Sequence, residues 1–118
     1  MQLLAEKIIL TGLQEIGIIK EAANIDELVE KRVGFIFMPH GLGHLIGLDV
    51  HDVGGYLPQC PPRSPKYGLK SLRHGRELKP GMVTTNEPGC YFIEFLLDGK
   101  GHDVDLSEVN VAKAKEYL

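Results

Sequence analysis

The sequence has no tryptophan and only two cysteines, Cys60 and Cys90, among its 118 residues. It has no Cys-x-x-Cys pair, so it indicates neither a structural zinc cluster nor a disulfide framework, and we expect both thiols to be reduced. It also has no apolar run near the roughly 20 residues that a membrane-spanning helix needs, and no secretory signal at its start. These absences predict a soluble protein of the cytoplasm with no membrane partner.

An excess of positive charge is missing as well. The chain has 13 basic and 16 acidic residues, which give a net charge of −3 and a pI near 5.9. Binding to a nucleic-acid backbone requires a strongly basic face, so we do not expect a nucleic-acid partner. The apolar residues make up 43% of the chain, enough for one modest core. The sequence therefore predicts one domain, or one piece of a larger domain.

Two segments in the first third of the chain carry helix signals. Apolar residues at spacings of four, four and three predict an amphipathic first helix: Ala5, Ile9, Leu13 and Ile16. Gly17 is expected to end this helix. Asn24, with Glu27 three residues later, has the pattern of an N-cap and capping box for a short second helix. We expect Gly34 to break that helix.

The central part of the chain favours strands separated by loops. Residues 35–37 and 45–50 are rich in the apolar and β-branched residues of short strands. Residues 54–69 contain four prolines, which lack the N–H donors that a sheet interior needs, so a surface loop is expected there. After a predicted turn at residues 79–81, a further strand would present three residues on one side: Val83, Thr85 and Glu87.

The C-terminal part of the chain is expected to form two helical pieces. These predicted pieces cover residues 93–97 and 106–118, and Asp105 or Ser107 is the expected N-cap of the second.

Residues 38–55, MPHGLGHLIGLDVHDVGG, hold three histidines, two aspartates and five glycines. His40 and His44 have the spacing of two zinc ligands on one helix face. However, Gly41 and Gly43 would each cost about 1 kcal/mol relative to alanine in a helix interior. We instead expect a tight backbone bend that lets a metal ion and a substrate approach the main chain. The alternative is that His44 is a core histidine hydrogen-bonded to the backbone.

Glu87 lies in the largely apolar segment VTTNEPGCYF. A buried carboxylate is costly unless a cation or strong hydrogen-bond donors satisfy it. The alternative is an edge-strand glutamate that faces water. Imidazole and carboxylate together, without thiolates, suit manganese, iron, cobalt or zinc and are typical of a catalytic metal site.

The segment FMPHGLGHLIGLDVHDVGGY, followed by LKPGMVTTNEPGCYF, resembles the prolidases, or Xaa-Pro dipeptidases, among the pita-bread metallopeptidases. The resemblance implies an α+β pita-bread fold, of which residues 1–118 form an incomplete catalytic domain. It also implies hydrolysis of dipeptides with a C-terminal proline, by a water molecule activated between two metal ions. Two Mn²⁺ ions are the expected cofactors, and a homodimer is the expected assembly of the complete enzyme.

The resemblance also implies roles for individual residues. His44 and Glu87 would be ligands of one metal ion. His51 would contact the substrate near the scissile amide and act in catalysis. Arg73 would bind the carboxylate of the C-terminal proline, and His40 would contact the substrate from the edge of the pocket.

The chain also departs from the prolidase pattern. The family's metal centre uses two aspartates from strands before the region at Met1 and a bridging glutamate from a strand after Leu118, and Asn86 replaces an apolar residue. We therefore expect a fragment of a pita-bread domain that is inactive by itself. Two other functions stay open: a non-catalytic pita-bread module that binds peptides or proteins, and a small unrelated metal-binding domain. The second would use three ligands: His40, His44 and Glu87.

Overall fold

Helices at the two ends of the chain carry its regular structure, in a computed structural model that describes residues 1–118. They are α1 (Gln2–Glu15), α2 (Ile25–Glu30), α3 (Gly34–Phe37), α4 (Glu94–Leu97), α5 (Val111–Ala114) and a 3₁₀ helix (Lys115–Tyr117). None of these helices has the length and apolar character that crossing a bilayer requires. The long central segment between α3 and α4, which contains the histidine motif, has no helix.

Helix α1 forms where it was predicted and ends as expected. Gly17 adopts a φ of 75°, and the N–H groups of Gly17 and Ile18 donate to the last turn of the helix at 2.9 and 2.8 Å. This double hydrogen bond is the usual way in which a glycine closes a helix.

The buried face of α1 differs from the predicted one. Ile16 is 46% exposed, and Ala5 and Ile9 are half-buried. The buried residues are Gln2, Glu6, Leu10 and Leu13. Leu13 was predicted, but apolar spacing missed Gln2 and Glu6 because these two residues are polar. They are buried only because they have hydrogen-bonding partners.

Helix α2 confirms the predicted cap. The side-chain oxygen of Asn24 accepts hydrogen bonds from the N–H groups of Asp26 and Glu27 at 3.0 and 3.4 Å. Beyond the helix, Arg32 adopts the left-handed conformation with a φ of 67°. This is the position that glycine usually occupies at the end of a helix, so an arginine there costs backbone free energy.

The predicted strand at residues 35–37 is wrong, because these residues form α3. Gly34 begins α3 instead of breaking α2, which has already ended. A Cβ at Gly34 would lie 2.7 Å from the Cβ of Glu6, so the glycine allows α3 to approach α1 closely. Ile36 and Phe37 are fully buried. Aromatic and β-branched residues reflect burial here, and tertiary packing overrides their strand preference.

Residues 42–46 and 83–87 pair in antiparallel fashion over a short distance, but no regular strand forms. Leu45 and Thr84 make an isolated bridge. Three backbone hydrogen bonds flank this bridge. The N–H of Ile46 donates to the carbonyl of Val83 at 3.2 Å. In the other direction, the N–H groups of Thr85 and Glu87 donate to the carbonyls of His44 and Leu42 at 2.8 and 2.6 Å. Of the expected α+β fold, this chain shows the helices and short antiparallel backbone pairing, without a regular sheet.

The predicted strand at residues 45–50 is wrong beyond Ile46. The N–H group of Asp52 donates back to Leu45 at 3.0 Å, so the intervening residues form a turn. Leu48 and Val50 are exposed. These apolar residues have the composition of a strand, but no neighbouring strand is available to pair with them.

The loop over residues 54–69 and the turn at residues 79–81 are confirmed, since neither region contains a helix or strand. At the C-terminus, the predicted piece at 93–97 matches α4, whereas regular structure in 106–118 begins only with α5. The predicted cap of the second piece is wrong. Asn110 caps α5 by accepting from Lys113 N–H at 3.1 Å, while Asp105 bonds locally to Ser107.

The core lies among α1 to α4 and the C-terminal segment, and the histidine motif runs along its edge. Ile19 and Val109 form an antiparallel bridge that joins the two ends of the chain. The buried core residues are Leu10, Leu13, Ile18, Ile19, Leu28, Val29, Val33, Ile36, Phe37, Leu96, Leu97, Val109 and Ala114.

Candidate metal centre

A cavity of about 420 Å³ lies where the histidine bend meets the segments around residues 71–73 and 87–91. All five site residues predicted from the sequence line it: His40, His44, His51, Arg73 and Glu87. Ser71 and Tyr91 contribute to the same wall. The structure thus brings together predicted site residues that are up to 47 positions apart in the chain, from His40 to Glu87.

The side chains of His44 and Glu87 contact each other in the wall of this cavity. Nε2 of His44 lies 2.9 Å from Oε1 of Glu87. His44 is 7% exposed, while the Glu87 side chain is 51% exposed. Burial of His44 was the predicted alternative to a ligand role, and the structure shows that the residue is both buried and directed at a carboxylate.

The tautomer of a neutral His44 ring follows from the partner of its other nitrogen. Nδ1 lies 2.9 Å from the carbonyl oxygen of Leu45. A carbonyl group only accepts hydrogen bonds, so Nδ1 carries the proton. In the neutral imidazole, Nε2 therefore presents a lone pair to the lone pairs of the Glu87 carboxylate. Only a proton or a metal cation between the two atoms can make this contact favourable.

The pair fits a divalent ion in chemical type. An imidazole nitrogen and a carboxylate oxygen, here 2.9 Å apart, are both ligand types that would hold a divalent ion. No group of three or more histidine, cysteine, aspartate or glutamate side chains is arranged to hold an ion. The ring centres of His44 and His51 are 4.4 Å apart in an edge-to-face arrangement. The chain therefore brings two candidate ligands together, His44 and Glu87, with His51 beside them.

The surroundings of Glu87 favour its ionised form. The largest effect is a hydrogen bond from the Thr85 side chain, which lowers the pKa of Glu87. Partial loss of solvent raises this pKa. The charges of three histidines lower it again: His44, His40 and His51. The pKa of His74 is also below its ordinary value, first because of burial and then because of His44. Glu87 is therefore a carboxylate at neutral pH.

His40 is fixed by groups on both sides of its ring. Nδ1 lies 2.8 Å from its neighbouring carbonyl at Gly41, so this nitrogen donates. Nε2 then accepts from the Tyr91 hydroxyl at 3.1 Å. Sequence reasoning did not select Tyr91 as a site residue, although the tyrosine lies within the quoted motif, four positions after Glu87. Thr85 was also missed, and its hydroxyl oxygen accepts from the His44 N–H at 3.0 Å.

Arg73 lies on the wall between this cavity and a neighbouring one of about 400 Å³, which Asp52 and Arg63 also line. A Cβ at Gly54 would overlap the carbonyl oxygen of Arg73, so the glycine allows the two backbones to pack closely. Arg73 is exposed. Its guanidinium is available to an anion at the cavity wall.

A sequence model of metallopeptidase family M24 matches residues 7–112 of the chain. The chain belongs to metallopeptidase family M24. This family assignment confirms the metallopeptidase resemblance and excludes the alternative of a small unrelated metal-binding domain. It also implies a divalent metal ion, in agreement with the imidazole and carboxylate that meet in the cavity.

Individual relatives agree with the M24 assignment. The chain is 52% identical to the Xaa-Pro dipeptidase of Homo sapiens over 98 residues, which cover 83% of the chain and 19% of that relative. It is 41% identical to an uncharacterised peptidase of Saccharomyces cerevisiae over 117 residues, which cover 98% of the chain and 21% of that relative. A probable Xaa-Pro aminopeptidase of Tuber melanosporum is 40% identical to the chain over 97 residues, which cover 82% of the chain and 20% of that relative. The chain thus spans about a fifth of the length of these relatives.

Proposed function

We propose that the protein acts in metal-dependent hydrolysis of dipeptides with a C-terminal proline, and that residues 1–118 form part of a pita-bread catalytic domain. The observation that carries this proposal is the meeting of His44 Nε2 and Glu87 Oε1 at 2.9 Å in a cavity that Arg73 also lines. The Xaa-Pro dipeptidases among the relatives support the substrate class. The proposal includes two Mn²⁺ ions, a homodimer and a cytoplasmic location.

The proposed ligands are oriented by the protein itself. The hydrogen bond from His44 Nδ1 to Leu45 fixes the ring so that Nε2 points into the cavity. The Thr85 side chain helps to keep the carboxylate of Glu87 ionised. When bound, a divalent metal supplies an activated water molecule and polarises the peptide carbonyl.

Two further residues are assigned to the substrate. His51 lies beside His44 and would donate a hydrogen bond to the oxygen that gains charge at the scissile amide, an interaction worth about 3 kcal/mol in other hydrolases. Arg73 would bind the carboxylate of the C-terminal proline through both arms of its guanidinium. A longer peptide has no carboxylate at that point, so this contact would select dipeptides. His40, held by Tyr91, would contact the peptide at the edge of the cavity.

A second candidate function is peptide binding without catalysis. It is favoured by the number of ligands, because His44 and Glu87 have no third metal-ligating partner in this chain. A catalytic metal normally has at least three protein ligands. In this case Arg73 and the histidines would bind a peptide in the same cavity without a metal ion.

Titration of this chain with Mn²⁺, followed by the electron paramagnetic resonance signal of the free ion, tests the proposal. We expect binding to the wild-type chain to be lost in both His44→Ala and Glu87→Gln. Asp103→Asn is the matched control, since Asp103 is exposed and does not line the cavity. Equal Mn²⁺ binding by the wild-type chain and the two ligand variants would refute the metal site.

The second candidate is tested by titrating Gly-Pro into the chain in the presence of a chelator. Binding without metal that is lost in Arg73→Ala would favour the non-catalytic module. Binding that requires Mn²⁺ would favour the metallopeptidase.

A further inference from the structure

A buried polar chain connects Arg32, which follows α2, with α1 and the histidine bend. Nη2 of Arg32 donates to Oε1 of Glu6 at 2.6 Å, with side chains that are 6% and 0% exposed. The same carboxylate oxygen accepts from Nε2 of Gln2 at 2.9 Å. Gln2 is itself 8% exposed. The carboxamide of Gln2 is therefore oriented by an ion pair that is removed from water.

Gln2 extends this chain to the backbone of the bend. Its Oε1 accepts from the N–H group of Leu42 at 2.7 Å, and its Nε2 also donates to the carbonyl of His40 at 3.2 Å. The carbonyl of Leu42 in turn accepts from the N–H group of Glu87 at 2.6 Å. One carboxamide thus holds the bend that carries His40 and His44, and the bend holds the segment that carries Glu87.

The bend needs such an external support. Gly41 and Gly43 flank Leu42, and glycine has more backbone freedom to lose than any other residue. Outside regular secondary structure, the short pairing with residues 83–87 is the backbone support that the bend has. A side chain that binds both a donor and an acceptor of the bend removes much of that freedom.

The stability of the fold alone does not account for this arrangement. The second carboxylate oxygen of Glu6 is buried without a hydrogen-bonding partner. Arg32 has an unfavourable left-handed backbone with a φ of 67°. A buried ion pair is often no more stabilising than apolar residues of similar volume. A strained backbone beside an unpartnered carboxylate oxygen is the kind of local cost that is found at functional sites.

We propose that Gln2 is a positioning residue of the candidate metal centre, oriented by Glu6 and Arg32, and that it holds the His44 bend at ligating distance from Glu87. This inference rests on the proposed function of His44 and Glu87. It assigns a site role to three residues that lie outside the cavity of these ligands.

The test compares Gln2→Met with Gln14→Met in this chain. Both glutamines lie on α1 and both donate to backbone carbonyls, but Gln14 bonds to a turn at the other end of the helix: Lys20, Glu21 and Ala23. Three quantities are measured: the Mn²⁺ dissociation constant, the hydrogen-exchange rates of the Leu42 and Glu87 amides without metal, and the unfolding midpoint in urea. Because the Leu42 N–H donates to Gln2 itself, its exchange reports the loss of that hydrogen bond. Exchange at Glu87, whose N–H donates to Leu42, reports the position of the bend independently of metal.

We expect Gln2→Met to weaken Mn²⁺ binding at least tenfold and to speed exchange at Leu42 and Glu87 at least tenfold. Gln14→Met should leave the Mn²⁺ dissociation constant and the two exchange rates within about twofold of the wild-type values. This should hold even if its unfolding midpoint in urea falls as far as that of Gln2→Met. Unchanged exchange at Glu87 in Gln2→Met would overturn the inference, as would equal effects of the two variants. If Gln2→Met does not fold, Gln2→Asn replaces it, because its carboxamide is one methylene too short to reach both backbone groups.

The two proposals fail separately. If the wild-type chain binds no Mn²⁺ but Gln2→Met releases the Leu42 and Glu87 amides, the function proposed for His44 and Glu87 is wrong and the positioning of the bend by Gln2 stands. If Mn²⁺ binding depends on His44 and Glu87 but not on Gln2, the metal site stands and the positioning role is wrong.

Discussion

Gly43 packs so closely against Thr85 that a Cβ on the glycine would overlap the carbonyl oxygen of the threonine. The obstacle is backbone, which cannot rotate away as a side chain can. We expect Gly43→Ala to push residues 42–46 away from 83–87 and to lower the free energy of unfolding by about 1–3 kcal/mol, the usual cost of overpacking. Urea denaturation measures this change, and Mn²⁺ binding should weaken with it because His44 moves away from Glu87.

Gly12→Ala is the matched control for Gly43→Ala. Gly12 lies inside α1, and a Cβ there would meet no atom within 4 Å. We expect this change to raise the free energy of unfolding by up to about 1 kcal/mol, because alanine is the better helix former. If Gly43→Ala were as stable as Gly12→Ala, the described contact with Thr85 would be wrong.

Asp98 should make the stability of the chain depend on acidic pH. Hydrogen bonds from Lys115 and then Lys100 lower the pKa of its carboxyl group. Since the pKa is lower in the folded state, this contribution is present above the unfolded value, near pH 4, and is lost as the pH falls through the folded value. Urea midpoints measured between about pH 2 and pH 6 should fall less steeply in Asp98→Asn. Asp103→Asn, at an exposed position without an ion pair, should retain the wild-type slope.

The roles proposed for His44 and His51 differ in what each substitution should remove. The test uses a chimera in which this chain replaces the matching segment of the human Xaa-Pro dipeptidase, which is 52% identical to it over 98 residues. We expect His51→Ala to lower kcat about a hundredfold and to leave bound metal near normal, since loss of one such hydrogen bond costs about 3 kcal/mol. His44→Ala should lose metal. Equal metal contents in the two variants would contradict this division of roles.

Arg73→Lys in the same chimera tests recognition of the substrate carboxylate. Lysine keeps the positive charge but lacks the planar guanidinium that binds both carboxylate oxygens. We expect KM for Xaa-Pro dipeptides to rise about tenfold or more, which corresponds to about 1.4 kcal/mol or more, with unchanged metal content. Unaltered dipeptide kinetics would remove Arg73 from the proposed binding site.

The 118-residue chain alone should bind Mn²⁺ weakly. It has two proposed metal ligands, His44 and Glu87, where a catalytic metal normally has at least three. We expect a dissociation constant between about 1 µM and 1 mM, or about −8 to −4 kcal/mol, and no measurable hydrolysis of Gly-Pro in saturating Mn²⁺. Turnover of Gly-Pro by the purified chain that Glu87→Gln abolishes would show that the site is completed in another way.

Local signals in the sequence predicted the features that depend on local geometry. The cap at Asn24, the end of α1 at Gly17 and the loop with four prolines each depend on residues within a few positions. The gathering of His44 and Glu87 came from the family resemblance, because their spacing in the sequence says nothing about their distance in space.

The remaining features depend on contacts between distant segments. Gln2 and Glu6 look like solvent-facing positions of a helix until Arg32 and the backbone of Leu42 are placed beside them. Residues 35–37 have strand-like composition but are helical because burial against α1 decides their conformation. Tertiary packing overrode local preference in both cases.

The backbone of Arg32 has a consequence for how this sequence can change over evolutionary time. The left-handed conformation favours glycine, while the buried carboxylate of Glu6 requires a cation. Arg32→Gly alone would remove the backbone strain but leave the buried carboxylate of Glu6 without its cation. Removal of one partner of a buried ion pair lowers the free energy of unfolding by about 3–5 kcal/mol. Substitutions at positions 6 and 32 should therefore be inherited as pairs, and an apolar residue at 6 should occur together with glycine at 32. Covariation between these two positions, 26 residues apart, is the trace that the ion pair should leave among related sequences.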